Sequence, residues 1–240
     1  MSTPSTNRPV LLLHGVGSSF EHNWGRSGWL DLLADEQRST IGFELPGHGS
    51  AARPAALTDL KHGDDVVTAL LAELSGYESV DAVGFSAGGQ LLAAAAAREP
   101  ARFGRIALLG VGDGLLHPRP TRLHRLADQL DAGIEPAEPQ ARLFHRMARS
   151  AGNDPAAVAQ YMRLPKPRVT AADLGAIRCP VLVVLGDRDF VGPADELVAA
   201  LPNSRHVLLR GVDHYGLTGA LGCLDVVLPF LAGTLPASVG

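Results

Sequence analysis

Six short runs rich in Val, Ile and Leu alternate with helical stretches along this chain, and no other feature limits the fold so much. The runs are Pro9 to Leu13, Thr40 to Leu45, Val80 to Phe85, Arg105 to Gly110, Pro180 to Gly186 and Arg205 to Arg210. Apolar runs this short and continuous suit strands buried on both faces. Helical patterns lie between them, at Ser27 to Glu36, Thr58 to Ser75, Ala87 to Arg98, Pro193 to Leu201 and Thr218 to Leu231. Strand–helix alternation predicts an α/β fold: a doubly wound, mostly parallel sheet of about six strands, with right-handed crossovers placing helices on both faces.

The rhythm breaks once. Residues 113–167 carry no strand signal but hold helical pieces at Thr121 to Leu130, Gln140 to Ser150 and Pro155 to Arg163, punctuated by prolines. We read 113–167 as a helical cap, or lid, inserted into a core made of 1–112 and 168–240. Thr170 is a candidate N-cap where the core resumes. The cap's arginines (Arg119, Arg122, Arg125, Arg142, Arg146, Arg149, Arg163 and Arg168) suit a solvated outer face rather than a substrate clamp. Leu126, Leu130, Leu143, Phe144 and Met147 then point inward and line an apolar pocket sized for a small or medium acyl group.

Composition removes other classes. Of 240 residues 46% are hydrophobic and 19% charged, which excludes a disordered chain. A net charge of −4 gives no basic surface for nucleic acid or an anionic membrane. Cys179 and Cys223 stand alone, with no zinc spacing, and neither a metal nor a cofactor is expected. The apolar stretch Val10 to Leu13 is too short for a signal peptide and the alanine run near Leu91 to Ala97 too short for a membrane span, so the expected location is cytoplasmic.

The chemistry centres on Gly84-Phe85-Ser86-Ala87-Gly88. The third apolar run ends there and a helix begins, so Ser86 sits on a sharp turn at the carboxyl end of the sheet. The following helix aims its free N–H groups at the same place. A serine hydroxyl needs a base. Of nine histidines, His214 follows the last strand at the same end of the sheet. The base needs an orienting carboxylate, and Asp187, Asp189 and Asp113 all follow strands at that end. The Gly-rich loop His14-Gly15-Val16-Gly17 can bring the Val16 N–H beside the nucleophile, forming with the Ala87 N–H a two-donor oxyanion hole. Aromatic residues near these loops (Phe20, Trp24, Trp29, Phe85 and Tyr215) are candidate pocket walls, although the tryptophans equally suit packing of the first helix.

These pieces together resemble the α/β-hydrolase superfamily over almost the whole chain: LLLHGVGSS, ELPGHGS at Glu44 to Ser50, VGFSAGG, PVLVVLGDRDFV and DHYG. The resemblance implies Ser86 as nucleophile, His214 as base, Val16 and Ala87 as oxyanion donors, and the insert as lid. It favours Asp189 as the acid, three residues past Gly186. Glu44 stands where the family usually has Asp, and Tyr215 where a smaller residue is usual, which narrows the mouth of the site. The resemblance further implies a sheet without the family's two leading antiparallel strands. The expected activity is cleavage of a small or medium carboxylic ester, or a related thioester or lactone, through an acyl-enzyme on Ser86. Alternatives are a carbon–carbon bond hydrolase using the same triad, an acyltransferase or cyclase, and a non-hydrolytic ligand receptor of this fold. The expected partner is a small-molecule ester; the sequence leaves the oligomeric state open.

Overall fold

The computed structural model describes residues 8–51, 60–118, 120–132 and 134–234. Six strands form one sheet: β1 (Val10–Leu13), β2 (Thr40–Phe43), β3 (Val80–Phe85), β4 (Phe103–Leu109), β5 (Val181–Gly186) and β6 (Ser204–Leu209). Their order is β2-β1-β3-β4-β5-β6, and every neighbouring pair is parallel. The helices are α1 (Trp29–Asp35), α2 (Gly63–Glu73), α3 (Ala87–Arg98), α4 (Pro120–Asp131), α5 (Pro139–Ser150), α6 (Pro155–Arg163), α7 (Ala171–Leu174), α8 (Asp195–Ala200) and α9 (Leu221–Ala232). The first residues of the helix expected from Thr58 lie outside the described segments.

Central strands obey the apolar-run rule. β1, β3 and β5 are buried at every position, and their alternate side chains feed two separate cores. Leu11, Leu13, Leu91, Leu92 and Val183 belong to the core under α2 and α3, whereas Val10, Leu12, Trp24, Trp29 and Val227 belong to the core under α1 and α9. Burial on both faces does not extend to the edges. β2 and β6 alternate between exposed and half-buried positions, and Leu208 is 56% exposed, because an outer strand has a neighbour on one side only. β3 also carries a buried charge, Asp81, neutralised by Arg38 at 2.7 Å.

Between β4 and β5 run α4, α5, α6 and α7. Leu126, Leu130, Phe144, Ala148, Val158 and Met162 from the first three close a third core, against which Val16 packs. Phe144 is buried as expected, but Leu143 is 37% exposed and Met147 half-buried, because neither lies on the buried stripe of Ala141, Phe144 and Ala148. Thr170 opens α7: its Oγ1 accepts the Asp173 N–H while the Asp173 carboxylate accepts the Thr170 N–H.

Strand order reverses between β1 and β3. In open α/β sheets the crevice beyond the carboxyl ends at such a switch point is where ligands bind. The His14 loop leaves β1 there and Ser86 leaves β3 beside it.

Candidate active site

Ser86 joins β3 to α3 with φ +52°, a left-handed conformation costly for a residue with a side chain. Tight neighbours hold it. The Ser86 N–H donates to Leu109 O on β4 at 2.8 Å, and a Cβ on Gly88 would stand 2.5 Å from the carbonyl oxygens of Leu13 and His14. Only glycine admits β1 so close to the start of α3. The turn projects the hydroxyl toward His214, whose Nε2 lies 2.9 Å from Ser86 Oγ. The other ring nitrogen, Nδ1, is 2.9 and 3.0 Å from the two Asp189 oxygens. With Nδ1–H donating to the carboxylate, Nε2 is left to accept the serine proton. The side chains of Asp189 and His214 are almost wholly buried, which strengthens the charge–dipole coupling between them.

The three strand-end carboxylates have separate duties. Asp189 also accepts the Val191 N–H at 3.0 Å, which fixes its orientation. Asp187 accepts the Gly211 N–H at 2.7 Å and ties the loop after β5 to the loop after β6. Asp113 accepts the Leu197 N–H at 2.9 Å, within α8. Only Asp189 reaches the imidazole.

The loop after β1 is pinned on both sides of Val16. The Gly15 N–H donates to Asn23 Oδ1 at 3.3 Å, from a short π-helical turn at Glu21–Gly25. The Gly17 N–H donates to His48 Nε2 at 2.9 Å, while His48 Nδ1–H donates to Pro46 O at 3.0 Å. Both ring nitrogens are thus committed in the neutral form. Burial pushes the His48 pKa down to about 3. Asn153, between α5 and α6, donates through Nδ2 to Ser18 O at 2.7 Å and Gly17 O at 3.3 Å, and accepts the Gly49 N–H at 2.7 Å. Among the described residues the Val16 N–H has no acceptor, and neither has the Ala87 N–H that opens α3. Glu44, just after β2, supports the same loop: its Oε1 accepts the Phe20 N–H at 3.1 Å.

The aromatic candidates divide. Phe85 and Tyr215 flank the imidazole, with ring centroids 5.0 and 5.6 Å from that of His214. Trp24 does not line the site. It is fully buried in the core under α1, edge-on to Trp29 at 5.2 Å, because the π-helical turn carries it behind the sheet. Phe20 is likewise turned away, over Gly42 of β2, where a Cβ would stand 2.7 Å from its ring. Three contributors were not anticipated. Phe190 stacks 4.4 Å from His214, immediately after Asp189 in the chain. Asn153 carries no signal in the sequence beyond being a polar residue between two helical pieces. A cavity of about 440 Å³ opens beside Ala87, between α3 and the inserted helices, and Lys166 lies in its wall. Neither cysteine competes as a nucleophile, since burial pushes Cys223 up to about 12 and Cys179 up to about 11.

Among the described residues no His, Cys, Asp or Glu grouping could hold a metal, and no helix is long and apolar enough to cross a membrane.

Comparison with known proteins places this geometry in a family. The sequence profile of the alpha/beta hydrolase fold family matches residues 8–172. No curated protein matches the chain significantly by sequence. Among solved structures, MenH from S. aureus is similar with a TM-score of 0.74 and 19% identity, covering 97% of this chain and 96% of its own. The 2-hydroxy-6-oxo-6-phenylhexa-2,4-dienoate hydrolase of Rhodococcus sp. strain RHA1 gives 0.65 at 22% identity, over 94% and 90%. A carboxylesterase structure from the thaumarchaeon Nitrososphaera gargenis gives 0.65 at 18%, over 98% of both chains. At these identities the likeness is one of fold, and together with the profile match it shows that this chain belongs to the alpha/beta hydrolase fold family.

Proposed function

We propose that the protein is a serine hydrolase of small or medium carboxylic esters. The observation that carries this reading is the continuous chain from Asp189 through His214 to Ser86, at 2.9 Å in each step. Ser86 Oγ attacks the acyl carbon as its proton passes to His214 Nε2. Asp189 holds the ring and stabilises the imidazolium. The Val16 and Ala87 N–H groups receive the oxyanion, each contributing about 3 kcal/mol of barrier lowering. His214 then protonates the leaving alcohol, and water activated by the same imidazole releases the acid. The inserted helices act as a lid: Phe144 on α5 packs 6.2 Å from Tyr215, and Asn153 ties the insert to the oxyanion loop.

The fold alone does not choose the bond, since structures of this fold carry names as different as a peroxidase and a carboxylesterase. An ester is favoured because nothing beyond nucleophile, base and two donors is needed to cleave it. The test is turnover of p-nitrophenyl esters of increasing chain length, with products analysed in the presence of an added alcohol. Free acid as the main product supports a hydrolase. Transfer to the alcohol in preference to water would make it an acyltransferase, and no turnover by the folded enzyme would refute the ester reading.

A further inference from the structure

The cavity beside Ala87 is mostly apolar, walled by Val66, Leu91, Leu115, Met162 and Leu164 among others. Of the two cations in its wall, Arg163 and Lys166, only Lys166 lacks a carboxylate partner among the described residues. Lys166, one of two lysines in the chain, donates from Nζ to Tyr161 O at 3.2 Å and lies 4.0 Å above the Tyr161 ring. Both partners are neutral. Among the described residues no carboxylate approaches this ammonium. Arg163, three residues earlier and also at the cavity, is different, because Asp128 and Asp131 hold it at 2.9 Å each. Burial without a counter-charge pushes the Lys166 pKa down to about 8. The other polar groups facing the cavity suit the same ligand. The Gln90 side chain, one turn along α3 from Ser86, makes no hydrogen bond among the described residues, and neither does that of His124 on α4. A half-buried cation held only by neutral partners in an apolar wall gains when something of opposite charge arrives. A single ammonium matches a single negative charge, which favours a carboxylate over a phosphate dianion.

Resting on the ester reading above, we propose that this cavity receives an acyl chain ending in a carboxylate, which pairs with Lys166. The substrates are then half-esters of dicarboxylic acids. Their methylenes lie against the apolar wall while the free acid meets the ammonium at one end and the ester carbonyl meets Ser86 at the other.

The experiment compares mono-p-nitrophenyl esters of adipic, pimelic and suberic acids with neutral p-nitrophenyl esters of the same chain lengths. The readout is the ratio of kcat/KM for acid-bearing over neutral substrate. A charge-assisted contact predicts a wild-type ratio of about ten to a hundred. Lys166→Met, which keeps the aliphatic stem, brings the ratio near one, and Lys166→Arg retains part of it. A ratio near one in wild type, or a high ratio preserved in Lys166→Met, overturns the proposal. Free suberate binding to Ser86→Ala, measured by calorimetry, separates the two levels. Binding that is weakened by Lys166→Met with no ester turnover refutes the esterase reading and supports the carboxylate site. Turnover of neutral esters with no suberate binding does the reverse. Melting curves of both lysine variants identify any that fail to fold.

Discussion

β3 is buried along all six of its residues, whereas α5 in the inserted segment buries only Ala141, Phe144 and Ala148 among twelve. The strand lies between two cores and its end cannot shift without disturbing both. The helix rests on one small core of its own and turns Arg146 outward to an exposed pair with Glu135. The groups proposed to react, Ser86, Asp189 and His214, all hang from strand ends of the first kind of structure. The groups that would choose the substrate, Lys166 and the cavity wall from α4 and α6, belong to the second. On this proposal, chemistry is held by the rigid part and selection is assigned to the part with fewer constraints, where sequence can vary at little cost to stability.

Several substitutions test that division, beginning with the strand ends. Asp189→Asn keeps the shape but frees the imidazole to take the wrong tautomer, so kcat on an ester falls about 10⁴-fold while the melting temperature changes little. Asp187→Asn, two residues away, breaks a loop hydrogen bond instead and keeps most of kcat. Equal losses from the two would contradict the assignment. In the core, Trp24→Ala removes a fully buried indole and destabilises the fold by about 3–5 kcal/mol in urea titrations. Leu143→Ala, on the exposed side of α5, stays within about 0.5 kcal/mol. A similar cost for both would mean that the insert and sheet are packed alike.

One polar contact between the two regions is made by Asn153. Asn153→Ala leaves two loop carbonyls and the Gly49 N–H without their partner, at a cost of about 1–3 kcal/mol. Because those carbonyls, of Gly17 and Ser18, directly follow Val16 in the loop, kcat should fall with KM nearly unchanged, as expected when an interaction made in the transition state is lost. A rise in KM alone would place Asn153 in substrate binding. A further effect is one of pH. His48 is neutral in the folded protein, with its pKa pushed down to about 3, against about 6.5 in the unfolded chain. Between those values the unfolded chain takes up the proton and the folded one does not. Stability is therefore whole above pH 6.5 and falls as pH drops, by at most about 1.4 kcal/mol per pH unit from this group. His48→Gln should flatten the curve between pH 7 and pH 5; an unchanged slope would remove His48 as its source.

Much of this was readable from residue order. Apolar runs place all six strands within about two residues, and Ala87–Arg98 and Pro155–Arg163 match the expected helices at both ends. Those elements are legible because burial demands continuous or periodic apolar patterns that nothing else produces. The serine, the histidine and three candidate carboxylates were visible for a related reason, since each follows a strand. Choosing Asp189 by geometry needed the register of the loops. For Trp24 the structure takes the packing reading, and Phe20 packs against the same core, because proximity in sequence to the His14 loop does not say which face of the sheet a π-helical turn delivers a side chain to. Asn153 and Lys166 were invisible, because their roles depend on contacts with segments more than a hundred residues away, or with a wall assembled from several helices.

The most direct test of the central claim is covalent. The native protein is incubated with a fluorophosphonate and the modified peptide is located by mass spectrometry. The account predicts one stoichiometric adduct on Ser86, absent in Ser86→Ala and strongly slowed in His214→Ala. A folded protein that stays unlabelled, or an adduct on another residue, would contradict it.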